Sequence, residues 1–120
     1  KKYLKKPINI LEKNYDKNLK WRLEVNYRLK NDYAEIFNKI DKLIFLKVPN
    51  FKCVYKWRLL QEKKLQLTSK GKKIMSSTQI KEFIMYYERI TKQMLVDLTK
   101  KAHAVLYLDN KHRFNKIKFN

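Results

Sequence analysis

The sequence has little of what several protein classes require. It holds one glycine (Gly71), two prolines (Pro7 and Pro49) and one cysteine (Cys53) in 120 residues. So little Gly and Pro excludes collagen-like, Gly/Ser-linker and Pro-rich chains. It also excludes from these residues the G-x-x-x-x-G-K-[ST] phosphate loop, the G-x-G-x-x-G turn and the G-x-S-x-G elbow, each of which needs at least two glycines. A lone cysteine forms no internal disulfide and fits a reducing, cytoplasmic setting. Beside it stand only His103 and His112, so no metal site is expected. The longest strictly apolar run, Leu43 to Leu46, is four residues, against the ~20 needed to span a bilayer. Lys1-Lys2 is followed by charge rather than by an apolar stretch, so no signal-peptide pattern is read there.

Acidic residues are also scarce: 11 Asp+Glu face 30 Lys+Arg, for a net charge of +19. Such a charge attracts polyanions. The composition offers a plainer cause, because Lys, Asn and Ile, with AT-rich codons, far outnumber Gly, Ala, Pro and Arg, with GC-rich ones. Lysines outnumber arginines 25 to 5, whereas bidentate base reading in DNA calls for Arg. A basic nucleic-acid-binding module is therefore the alternative reading and not the leading one. The five arginines become the informative cations.

Apolar spacing predicts the organisation. Residues 1 to 16 show no sustained period and read as a connector with a small apolar patch, Ile8, Ile10 and Leu11. Asp16 is placed to cap a helix running to about Ile40, with Trp21, Val25, Leu29, Tyr33 and Phe37 as its apolar stripe. The run at about 42–48 suits a parallel strand covered on both faces. Asn50 opens a second helix bearing Phe51, Val54, Trp57, Leu60 and Leu65. Thr68 to Lys73 reads as a loop. Ser76 with Gln79 forms a capping box for a third helix, with Ile80, Phe83, Ile84, Tyr87, Ile90, Met94 and Leu98 as its core stripe. A second parallel strand is expected at about 103–109. The turn 109–112 leads to an antiparallel edge strand at about 113–119, where lysines alternate with apolar residues. The fold class is thus α/β with three main helices.

No catalytic constellation is complete in these residues. His103 reads as a strand residue satisfied by local hydrogen bonds, and Cys53 as a small apolar filler. The polar set Arg58, Gln61 and Glu62 is spaced i, i+3, i+4 on one helix face. It reads either as a surface ion pair of Arg58 with Glu62, contributing about 0.3–0.5 kcal/mol, or as a guanidinium fork held ready for phosphate or carboxylate.

The stretch LIFLKVPNFKCVYKWRLLQEKKL, then FIMYYERIT, then AHAVLYLDNKH resembles the C-terminal half of glycerate-kinase-type P-loop kinases. These are relatives of uridine kinase, phosphoribulokinase and pantothenate kinase. The matching residues are Tyr55, Trp57, Arg58, Gln61 and Glu62, then Phe83, Tyr87, Arg89 and Thr91, then Asp109 and His112. The resemblance implies part of a three-layer P-loop kinase sheet, with residues 1–120 as the C-terminal portion of one domain and a lid-like region at about 55–75. It implies ATP and Mg²⁺ as cofactors and a hydroxylated small acid, such as glycerate, as acceptor of the γ-phosphoryl group. The family's phosphate loop would lie in an N-terminal half absent from this chain, so these residues alone are expected to be inactive. By the same resemblance Arg58 is the catalytic candidate, at the base of the lid helix. Gln61, Glu62, Tyr87 and Arg89 are substrate-binding candidates, and the loop at Lys70 to Lys73 is the lid tip. Asn110 and His112 are candidates for a nucleotide contact. For Trp57 and Tyr87 plain core packing stays open, as does a simple hairpin turn for residues 109 to 112. Three helices on so narrow a sheet also imply apolar surface left bare and poor stability of the chain by itself.

Overall fold

A computed structural model describes residues 2–68 and 74–120. The chain forms two compact units, residues 1–42 and 43–120. The expected lid tip, Lys70 to Lys73, lies outside the described residues.

The regular structure of the first unit is helical, and two of its helices fall in the stretch expected to be a connector. Helix α1 spans Lys2–Lys5 and α2 spans Ile10–Tyr15. The local cause is Asn9, whose side chain caps α2 by accepting the Glu12 amide at 3.0 Å. Glu12 in turn reaches back to the amide of Ile8, the residue before the cap, at 2.9 Å, and so ties the chain entering the helix to its first turn. The single long helix expected to reach Ile40 is instead two, α3 at Lys20–Lys30 and α4 at Ala34–Phe37. The break falls on Asn31, Asp32 and Tyr33, all modest helix formers. There the Asn31 side chain donates to the Tyr27 carbonyl at 2.8 Å, competing with the helical ladder.

Asp16 does start α3, though not as its N-cap residue. That position is Leu19, in the left-handed region at φ 63°. Asp16 closes α2, and its carboxylate accepts the amides of Trp21 at 2.9 Å and Arg22 at 3.2 Å. The expected apolar stripe of this region is not a core. Trp21 is 52% exposed, and Leu29, Tyr33, Ile36 and Phe37 are exposed with it, while the buried residue of α3 is Arg22.

Arg22 holds the first unit together. Its Nε donates to Asp16 Oδ2 at 2.7 Å, and its two terminal nitrogens donate to the carbonyls of Leu4 at 2.8 Å and Asp16 at 2.6 Å. Glu12 lies 3.8 Å from Nη1. Burial works against the Asp16 carboxylate, but the Arg22 side chain and the two backbone amides outweigh it and hold its pKa below the usual carboxylate range.

The second unit carries the sheet expected from sequence. Strand β1 is Ile44–Lys47, β2 is Ala104–Leu108 and β3 is Phe114–Phe119, in the order β1-β2-β3. The pair β1–β2 is parallel, with Ile44 opposite Ala104, and β2–β3 is antiparallel, with Ala104 opposite Phe119. Helices α5 at Phe51–Thr68 and α6 at Ser77–Lys101 form the crossover between the parallel strands, as parallel pairing requires. Asn50 caps α5 by accepting the Cys53 amide, and Ser76 with Gln79 makes the complete capping box at α6. The core centres on Ile80 and Val105, both fully buried, with Ile84 and Cys53 close behind. Of the α6 stripe, Phe83, Tyr87 and Met94 stay exposed, so only part of it is core. His103 is satisfied, though not locally as expected: it stands just before β2, and its Nδ1 accepts the amide of Leu43, 60 residues away, at 3.0 Å.

Candidate functional site

The candidate site is built on α5, because the 3.6-residue period sets Arg58, Gln61 and Glu62 side by side. Arg58 Nη1 donates to Gln61 Oε1 at 2.6 Å, and Nη2 lies 2.5 Å from Glu62 Oε1. Glu62 is buried, its side chain only 6% exposed. Its second oxygen accepts the Met75 amide at 3.2 Å, one residue before the cap of α6. One carboxylate therefore fixes both the guanidinium and the entry to α6. The Arg58 guanidinium also lies 5.7 Å from the Phe83 ring centroid, and Phe83 lies 5.2 Å from Tyr87. Arg58 Nε is buried and has no hydrogen-bond partner among the described residues.

The other wall comes from the β2–β3 turn. Asp109 organises it by accepting the amides of Lys111 at 2.7 Å and Arg113 at 2.9 Å, and it pairs with the Arg113 guanidinium at 2.8 Å. The Arg113 amide, the Lys111 amide and the Arg113 side chain together hold the Asp109 carboxyl below its ordinary pKa. The turn ends with His112 in the left-handed region at φ 64°. There the His112 ring meets Trp57 of α5, with centroids 3.6 Å apart. Asn110 joins the same helix through a sulfur contact, since Cys53 Sγ lies 3.2 Å from its Oδ1. Cys53 is thus more than an apolar filler: its S–H ties the turn to the start of α5.

Between these walls runs an open groove of about 300 Å³ lined by Trp57, Leu60, Gln61, Lys64, Leu65 and His112, with Thr68 at its end. The structure thus brings together Arg58, Gln61, Glu62 and Tyr87 on one side, and Gln61 and His112 at the groove. Asn110 sits in the same turn. Arg89 is buried on α6, two residues past Tyr87 and so on another side of that helix. Lys64 and Thr68 were not legible as groove residues, because a lysine-rich helix surface gives no local signal. The pairing of Trp57 with His112 joins residues far apart in sequence, which periodicity cannot reveal.

The walls have a definite chemical character. The ammonium of Lys64, the imidazole of His112 and the carboxamide of Gln61 line the groove beside Trp57, and the Arg58 guanidinium joins them through Gln61, a set suited to an anion carrying a flat ring. Among the described residues no group of three or more His, Cys, Asp or Glu side chains is placed to hold a metal ion. No helix of the described residues is long and apolar enough to cross a membrane.

In open α/β sheets ligands bind outside the carboxyl ends of the strands, and the turn bearing Asn110 and His112 follows that end of β2. No family model matches the chain. The chain is 37% identical over 90 residues to a Schizosaccharomyces pombe protein described as "Uncharacterized kinase mug58", a match covering 75% of this chain and 30% of that protein. In three dimensions it matches a D-glycerate 3-kinase from Cryptococcus neoformans with a TM-score of 0.68 at 19% identity, over 81% of this chain and 35% of that one. The chain is homologous to part of a kinase and carries the fold of part of a D-glycerate 3-kinase, in agreement with the motifs of a glycerate-kinase-type C-terminal part. It spans about a third of the length of both proteins.

Proposed function

We propose that these residues are the C-terminal portion of an ATP-dependent small-molecule kinase, with the phosphate loop supplied by a part of the protein not contained in this chain. The acceptor is a hydroxyl of glycerate or a similar small acid. The observation that carries this reading is Arg58. Its guanidinium is aligned by Gln61 and Glu62 beside the groove, and its side chain keeps 26% of its surface open. Positive charge set where the transferring group develops charge is the main protein lever in phosphoryl transfer.

In this reading Gln61 and Glu62 position Arg58, and Tyr87 with Phe83 walls the side from which substrate approaches. His112 and Asn110 hold the nucleotide at the end of β2, its base against Trp57 in the groove. When bound, ATP supplies the phosphoryl group, and Mg²⁺ screens its charge. No Mg²⁺ ligand is assigned on this chain, so the ion would be held by the phosphates and by residues elsewhere in the protein.

The test is Arg58→Ala in the full-length protein, with ADP formation measured in the presence of glycerate. Turnover should fall about 10²–10³-fold, the usual effect of removing one transition-state donor, while far-UV circular dichroism is unchanged. Arg58→Lys should not restore it, because an ammonium has no fork to engage both Gln61 and Glu62. Wild-type turnover in Arg58→Ala would remove the assignment.

A further inference from the structure

The hydrogen bonds behind the groove decide what the groove offers in front. An arginine only donates, so the Gln61 atom that meets Arg58 Nη1 at 2.6 Å is its oxygen. The two ends of a planar carboxamide diverge, so an oxygen turned to Arg58 leaves the nitrogen, with its two N–H donors, for the groove that Gln61 lines. Among the described residues that nitrogen has no partner. Glu62 anchors the Arg58 guanidinium in turn, so the carboxamide is held in this sense from two links back. Lys64 stands three residues on, on the same side of α5, and also lines the groove. It makes no ion pair among the described residues, and an ammonium only donates.

The acceptor of the groove lies elsewhere. Thr68 uses its hydroxyl proton on the Lys64 carbonyl at 3.2 Å and keeps only lone pairs. It is eleven residues from Trp57, about 16 Å along the helix, and so out of reach of a ring laid on that indole. Gln61 is one turn from Trp57, at i+4, and Lys64 follows on a four-carbon stem. His112 meets the same indole, with ring centroids 3.6 Å apart. A base on Trp57 therefore presents its edge to two neighbouring donors. Purines differ at that edge. Adenine shows an acceptor, N7, beside a donor, the 6-amino group, whereas a 6-oxopurine shows two acceptors, N7 and O6. A glutamine reads adenine with both ends of its amide, oxygen to the 6-amino group and nitrogen to N7. Here the oxygen is taken by Arg58.

We propose that the groove selects a 6-oxopurine nucleotide, carrying guanine or hypoxanthine, over an adenine nucleotide, with Gln61 and Lys64 donating to N7 and O6 of the base on Trp57. The proposal rests on the kinase reading with its base against Trp57, and it goes beyond that reading by choosing the base. ATP remains a phosphoryl donor, and GTP or ITP is the more tightly held one. Gln61 is then a specificity residue with two separate duties. Its oxygen aligns Arg58, and its nitrogen reads the base.

The test is calorimetric titration of the full-length protein with ADP, GDP and IDP, the last carrying oxygen where ADP carries the 6-amino group. IDP and GDP should bind about five-fold or more tightly than ADP, the lower end of what one good two-point base contact discriminates. Gln61→Glu is the decisive variant, because a carboxylate still accepts from Arg58 but gives the groove no donor. It should reverse the order, since a carboxylate accepts from the 6-amino group and repels O6. Lys64→Met should narrow the gap between IDP and ADP. Both side chains stand on the exposed surface of α5, so far-UV circular dichroism should not change in either variant. ADP binding as tightly as IDP to the wild type, or an order untouched by Gln61→Glu, overturns the proposal. Turnover with glycerate separates it from the kinase reading. Preference for IDP without phosphoryl transfer from ATP, GTP or ITP would remove the kinase activity and leave the nucleotide site. Transfer from ATP without preference for IDP would do the reverse.

Discussion

Replacing Arg22 by Met removes the cation around which the first unit is assembled. Met keeps much of the volume and none of the charge, so the packing change is small and the polar loss is not. Three donations disappear together, to the Asp16 carboxylate and to the carbonyls of Leu4 and Asp16. Two buried acidic side chains, Glu12 and Asp16, lose their shared counter-ion. Removing one partner of a buried pair costs about 3–5 kcal/mol, because the other charge stays behind without compensation. In a unit of about 40 residues, that approaches the whole folding free energy. Each unit contains one tryptophan, Trp21 and Trp57, so a Trp57→Phe background reports the first unit by fluorescence. Urea denaturation of Arg22→Met in that background should show the Trp21 transition lost or moved to the lowest denaturant concentrations. A loss of stability below about 1 kcal/mol would refute the reasoning, since an ordinary surface pair contributes that much.

The same cluster sets an acid response. The Asp16 carboxyl has its pKa lowered in the folded state, so its stabilisation is complete above the unfolded value and is lost as pH falls through the folded one. Acid unfolding of the first unit should therefore steepen below about pH 4, and Asp16→Asn should flatten that limb. Ser76→Ala, which opens the α6 capping box, should cost about 0.5–2 kcal/mol by denaturation. At His112 the loss of the ring contact with Trp57 should cost about 0.5–1.5 kcal/mol in an Ala variant. His112→Gly should recover about 1 kcal/mol of that, because its backbone is left-handed; equal midpoints for the two variants would contradict that account.

Sequence reading was strongest where one periodicity held over many residues. The two apolar runs and the lysine-alternating ribbon gave β1, β2 and β3 with their directions, and Ser76 with Gln79 marked the start of α6 correctly. It failed in residues 1–42, where the organising interaction is a buried arginine and not an apolar stripe. Trp21, Tyr33 and Phe37 repeat as a core would, yet they stay exposed. The polar cap at Asn9 escaped a reading that looked for sustained hydrophobic periods. At the site, the local polar set of Arg58, Gln61 and Glu62 was legible because its members share one helix face. The approach of Met75 to Glu62 and of His112 to Trp57 depends on tertiary closure, which a local pattern does not encode.

The pairing of β1 with β2 has a consequence for how the chain is made. Leu43 and His103, which begin the parallel contact, are 60 residues apart, whereas β2 and β3 are joined by the short turn that Asp109 organises. At ribosomal rates of about 5–20 residues per second, β1 is made roughly 3–12 s before its partner strand exists. The hairpin is complete within moments of its synthesis, whereas β1 waits for β2 through the time that α5 and α6 take to emerge. The lysines at 39, 42, 47 and 52 flank that apolar run on both sides, and like charges repel one nascent copy from another. Part of the positive charge of this chain thus acts before the fold exists, as a guard on the strand that waits longest.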